Sequence, residues 1–151
     1  MGNKISSSIK INYEDIQYAI KNNNEQHILI NTLEGSEQDC LIINTITINK
    51  EENLINTLIN NNKKTIKIII YGKNCNDEKI YNKYNQLISL GFNNVYIYTG
   101  GLFEWLMLQD IYGNTEFPTS SKELDILKYK SHKILDIRLL EFWKESFYFF
   151  I

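Results

Sequence analysis

Few side chains in this sequence could act as nucleophile, general base or metal ligand, and their spacing narrows the chemistry. The thiols are Cys40 and Cys75, the imidazoles His27 and His132, and the single arginine is Arg138. The cysteines lie far apart, in neither a CxxC pair nor a Cys/His ligand spacing, as expected of reduced thiols in a reducing compartment rather than of a disulfide or zinc site. Neither histidine has a second imidazole or a carboxylate at a ligand-like offset, so both read as surface or structural groups. There is no Ser-His-Asp order, no paired-carboxylate motif and no glycine-rich phosphate signature. The candidate nucleophile is Cys75, in Gly72-Lys73-Asn74-Cys75-Asn76-Asp77-Glu78, just ahead of a helical pattern. Lys73, Lys79 and the helix start favour a thiolate there. Asp77 and Glu78 disfavour a second negative charge, and Asn76 or Asp77 reads as the helix N-cap, occupying donors that an oxyanion would need. A non-catalytic Cys75 is the favoured reading.

The elements that must position this stretch follow from apolar periodicity. Ile9 and Ile11 are strand-like, and Tyr13, Ile16, Ala19 and Ile20 mark a short helix stopped by Asn22-Asn23-Asn24. His27 to Ile30 is a buried strand, and Thr45 to Ile48 a weaker one. Leu54, Ile55, Leu58 and Ile59 repeat at helical spacing. Thr65 to Tyr71 is the strongest strand signal, continuously apolar from Ile68 to Tyr71 and therefore central, covered on both faces. A helix over Asp77 to Leu90 ends at Gly91, a strand spans Asn94 to Thr99, and Gly100-Gly101 opens a helix from Leu102 to Gln109. Strands alternating with helices predict a parallel sheet whose ligand loops lie at the strand C-terminal ends, which points to the loop from Gly72 to Asp77.

Bulk properties bound the rest. A chain of 151 residues, 43% hydrophobic, is one domain with a real core. A net charge of −2 and a pI near 5.7, with scattered lysines, give no basic field for nucleic acid. No apolar run approaches the roughly 20 residues of a membrane-spanning helix, and the N-terminus lacks a secretory pattern, so a cytoplasmic protein is expected.

Over Ile9 to Ile111 the chain resembles a rhodanese-like domain. Ile11-Asn12-Tyr13-Glu14-Asp15-Ile16 resembles the family's opening strand-to-helix step. Ile28 to Thr32 sits where the family has a strand ending in Asp-x-Arg, and both polar residues are lost here. Ile69-Ile70-Tyr71, the helix ending Leu90-Gly91-Phe92, the strand Asn94-Val95-Tyr96-Ile97 and Gly100-Gly101-Leu102-Phe103-Glu104-Trp105-Leu106 resemble its second half, the Gly-Gly-x-x-x-Trp element being the most specific. Leu102, Trp105 and Leu106 read as packing the last helix onto the sheet. The resemblance implies an α/β fold: about five parallel strands flanked by helices, with a C-terminal helical extension. It implies that active members carry a cysteine directly after the central strand, in a loop whose amides cradle an anion. Here that position is Gly72. The same fold hosts phosphatases with a loop arginine, but Arg138 in the C-terminal tail cannot complete a Cys-x5-Arg cradle, and Lys79 cannot supply a bidentate fork.

Both ends carry separate signals. Residues 1–8 form an N-terminal segment in which Met1-Gly2-Asn3-Lys4-Ile5-Ser6 matches the N-myristoylation pattern at Gly2. One acyl chain with Lys4 and Lys10 beside it supports at most reversible, peripheral membrane attachment. The domain spans 9–117. The extension 118–151 carries Leu124, Ile126, Leu127, Ile134, Leu135, Leu139, Phe142, Trp143 and Phe147 among charges, an amphipathic helix candidate that either folds back on the domain or docks a partner. The expectation is a rhodanese-like module with a degenerate loop and little sulfurtransferase activity, no cofactor or metal, and a protein or a small sulfur-containing anion as partner. The alternative is an active persulfide carrier using Cys75. The oligomeric state is not specified by the sequence.

Overall fold

The computed structural model describes residues 9–22 and 26–135. Gly2, Arg138 and the aromatic run at the C-terminus lie outside the described residues. Five strands, β1 (Lys10–Ile11), β2 (His27–Asn31), β3 (Thr45–Ile46), β4 (Lys67–Tyr71) and β5 (Asn94–Tyr98), form one sheet in the order β1-β5-β4-β2-β3. Every pairing is parallel, with β4 at the centre, Leu29 opposite Ile69 on one side and Ile69 opposite Tyr96 on the other. The crossovers are helices α1 (Tyr13–Lys21), α2 (Ile48–Asn60) and α3 (Lys79–Ser89), and α4 (Gly101–Tyr112) follows β5.

The continuous apolar run in β4 is explained by its two covered faces. Ile68 and Ile70 join Ile55, Leu58, Ile80, Leu87 and Ile97 on the α2/α3 side. Ile69 and Tyr71 join Ile16, Leu102, Trp105 and Phe117 on the other. Local signals set the helix ends. Asn12 Oδ1 accepts from the Glu14 N–H (2.9 Å) and Asp15 Oδ2 accepts from the Asn12 N–H (3.1 Å), a capping box that starts α1. Gly91, at φ +100°, ends α3: its N–H donates to Ile88 O and that of Phe92 to Leu87 O, the paired bonds of a Schellman turn. α2 begins at Ile48, six residues before the periodic apolar positions, and the third strand is correspondingly shorter than its sequence signal.

The Tyr71 hydroxyl holds the β2–β3 connection down onto β4. It accepts from the Ile42 N–H (3.1 Å) and lies 2.8 Å from Thr45 Oγ1. Beyond α4, Phe117 is buried and residues 118–121 run antiparallel to 41–43, with Ser120 N–H donating to Leu41 O (2.8 Å). Trp105, fully buried, packs edge-on against Phe117 at 5.0 Å and donates through Nε1 to Pro118 O (3.2 Å). The described part of the C-terminal extension, 118–135, is thus a largely extended strap that contains a short 3-10 helix, Ile126–Tyr129. Among the described residues no helix is long and apolar enough to cross a membrane.

Candidate active-site loop

The loop Gly72–Glu78 leaves the C-terminal end of the central strand and is shaped by the start of α4. Gly101 has φ +70°, and a Cβ there would lie 2.8 Å from Asn74 N and 2.9 Å from Gly72 O, so only glycine lets the helix approach. The closeness lets the Leu102 and Phe103 N–H groups donate to Gly72 O and Lys73 O, both at 2.9 Å. This is the physical content of the Gly-Gly-x-x-x-Trp element: one end clamps the loop, and Trp105 anchors the helix.

Where a side chain at position 72 would point, the Asp77 carboxylate already sits. A Cβ on Gly72 would lie 2.3 Å from Asp77 Oδ2, far inside contact distance. That oxygen accepts from the Lys73 N–H (3.1 Å) and the Thr32 hydroxyl (2.9 Å), while Oδ1 accepts from the Lys79 N–H (3.0 Å). The expected cap therefore exists in altered form. α3 begins after Glu78, whose side chain makes no capping bond, and the Asp77 carboxylate reaches forward to the first helical amide. Three donors at the loop, the Lys73 and Lys79 amides and the Thr32 hydroxyl, are thus taken up by the chain's own carboxylate.

Charges around the mouth reinforce this. A cavity of about 270 Å³ opens there, lined by Thr32, Lys73, Asn74, Asn76, Asp77 and Lys79 together with Glu34, Glu37, Ser131 and His132. Lys73 pairs with Glu37 (2.9 Å) and Lys79 with Glu34. The hydrogen bond from Lys79 holds the Glu34 carboxyl below its ordinary range, and Glu34 in turn raises the Lys79 ammonium. Two lysines thus face three carboxylates, a poor field for an incoming dianion.

The structure brings Lys73, Asn74, Asn76 and Asp77 to this cavity, with buried Gly72 beneath Asp77, and leaves Cys75 outside it. Cys75 is exposed and lines an adjoining depression with Glu78, Tyr81, His132 and Ile134; its Sγ is 3.9 Å from Asn76 Oδ1. Cys40 is buried in the core, donates to Ser121 O (3.3 Å), and burial pushes its thiol up. Sequence reasoning missed Thr32, Glu34, Glu37, Ser131 and His132. The first three follow β2 at the same sheet edge as the loop, a placement the parallel-sheet rule could have flagged. The last two come from the strap and carry no local signal. His27 opens β2 with its ring edge-on to Tyr18, and burial lowers its pKa. Asn31, at the end of β2, is 1% exposed, and its amide is satisfied by Gln38, Ile46 O and the Leu33 N–H, an uncharged network. Among the described residues no cluster of three or more His, Cys, Asp or Glu is arranged to hold a metal ion.

Five parallel strands with a loop-cradling helix after the fifth define a class of domain, and a family model of that class matches. The match is to the rhodanese-like domain over residues 18–108, more than half of the chain. The chain belongs to the rhodanese-like domain family. Among solved structures it is similar to the Alr3790 protein from Anabaena sp., with 21% identity and a TM-score of 0.52 over 78% of this chain and 86% of that one. It is similar also to the solution structure of that protein's rhodanese-like domain, with 18% identity and a TM-score of 0.51 over 84% and 91%. Thiosulfate sulfurtransferase from Pseudomonas aeruginosa is similar at 13% identity and a TM-score of 0.54, over 80% of this chain but 23% of that one. At these identities the likeness is one of fold. No curated protein matches in a comparison of sequences.

Proposed function

We propose that this chain is a rhodanese-like binding or regulatory module with little sulfurtransferase activity, working in the cytoplasm on a protein partner. The observation that carries the reading is the Asp77 carboxylate in the space above Gly72, bonded to the Lys73 and Lys79 amides and to Thr32. A sulfur donor such as thiosulfate would have to displace a carboxylate tied by three hydrogen bonds, and would find no thiol beneath it. Reversible membrane attachment through myristate on Gly2 belongs to the same reading. Intact mass after co-expression with an N-myristoyltransferase tests it, and an unacylated Gly2 would end it.

The second reading, a persulfide carrier at Cys75, has the exposure of that thiol in its favour. Its step would be attack of the Cys75 thiolate on the outer sulfur of thiosulfate. The sulfur–sulfur bond breaks, sulfite leaves with the electron pair, and a persulfide anion remains. Incubation with thiosulfate followed by intact mass and a sulfite assay separates the two readings. The module predicts an unmodified thiol and background sulfite. A gain of one sulfur, with turnover abolished in Cys75→Ala, would overturn it.

A further inference from the structure

We propose that the strap over residues 118–133 is a latch closing the mouth of the Gly72–Glu78 loop, with Asn74 as its clasp. The strap is held at its two ends. At the near end the Ile43 N–H donates to Pro118 O (3.1 Å), Ser120 N–H to Leu41 O (2.8 Å), and the Ser120 and Ser121 hydroxyls to Asp39 O. At the far end Tyr129 is inserted in the core, 1% exposed. Between them Leu124 and Leu127 are 84% and 60% exposed, and the Glu123–Lys128 ion pair is internal to the strap.

The Asn74 carboxamide faces both ways. Its Nδ2 donates to Tyr129 O (2.9 Å), and its Oδ1 accepts from the Ser131 hydroxyl (3.2 Å) and from the Asn76 N–H of its own loop (2.9 Å). The turn that delivers Asp77 and the end of the strap therefore share one side chain. Closed, the strap contributes Ser131 and His132 to the wall of the loop cavity, and His132 and Ile134 to the depression around Cys75. Beyond Ser121 the strap is held to the domain through buried Tyr129, partly buried Ile126 and the bonds to Asn74, with Leu124 and Leu127 left exposed, and a stretch so held can open without unfolding of the sheet. Opening withdraws those wall residues and releases the bond partners of Asn74, so access to the loop is set by the strap. The device goes beyond the binding-module reading and holds whether or not Cys75 takes up sulfur.

The test is hydrogen exchange by mass spectrometry on the full chain. Tyr129→Ala removes the buried ring that anchors the strap and leaves in place the backbone carbonyl that binds Asn74. Amides of 126–132 are expected to exchange roughly tenfold faster or more, and amides of 73–77 severalfold faster, while β2 and β4 keep wild-type protection. Faster exchange over 126–132 with the loop at wild-type rates would overturn the proposal, because the strap would then move without uncovering anything. Unchanged exchange throughout would overturn it equally. Should Tyr129→Ala fail to fold, Ser131→Ala removes only the hydroxyl on Asn74, and a roughly two- to threefold acceleration confined to the strap and loop is expected. Its absence counts against the latch.

Discussion

Replacing Gly72 by alanine tests whether the loop is occupied by its own carboxylate. The new Cβ would lie 2.3 Å from Asp77 Oδ2, so the carboxylate must swing away. It then loses the bonds from the Lys73 N–H and the Thr32 hydroxyl, both part-buried, and from the exposed Lys79 N–H. Hydrogen bonds to a charged acceptor contribute about 1.5–3 kcal/mol each, so the two part-buried ones amount to about 3–6 kcal/mol, while water replaces much of the exposed one. The backbone at 72 is not in the left-handed region, and the reduced freedom of the unfolded alanine chain offsets about 0.4–1 kcal/mol of this. Gly72→Ala should therefore destabilise by about 2–5 kcal/mol. The same change in an Asp77→Gly background should be nearly neutral, since Asp77 Cβ, 2.9 Å from the new methyl, is removed with the carboxylate. Urea denaturation of wild type, both single variants and the double variant gives the coupling directly. Effects that add to within about 0.5 kcal/mol would refute the occupied-loop argument.

Further outcomes follow from the same geometry. Gly101→Ala, at φ +70° with its Cβ 2.8 Å from the Asn74 backbone, should cost about 3 kcal/mol or more and expose the Leu102 and Phe103 amides to exchange; a neutral result would mean α4 does not clamp the loop. Tyr71→Phe leaves the buried Ile42 N–H without its acceptor and should cost about 1–3 kcal/mol by denaturant titration. Burial raises both Tyr71 and Tyr98, and for Tyr98 the Glu104 carboxylate adds to it. The folded state thus keeps protons that the unfolded chain releases, and this contribution is fully present below the unfolded tyrosine value of about 10. Stability should accordingly fall as pH rises past about 10, a limb that a pH series of melting curves would reveal or refute. Cys40, buried with its thiol pushed up, should resist alkylation in native protein while exposed Cys75 reacts; equal rates would contradict the packing of Cys40 under Ser121.

Local chemistry alone determined which elements form. Apolar periodicity placed the described helices and strands, Asn12 and Gly91 marked helix ends, and four apolar residues in a row marked β4 as central, because each of these signals depends on neighbours within a few positions. The bond of Asp77 to the start of α3 was also legible, since it needs only a carboxylate ahead of a helix. Tertiary structure decided the rest. Thr32 meets Asp77 and Glu34 meets Lys79, each across 45 residues of chain, and Ser131 meets Asn74 across 57. That Asp77 fills the space above Gly72 while Cys75 faces solvent is a matter of where one turn aims its side chains. That aim is set by the close approach of Gly101 and the carbonyls that α4 binds, contacts which exist only once the sheet has brought β4 beside β5.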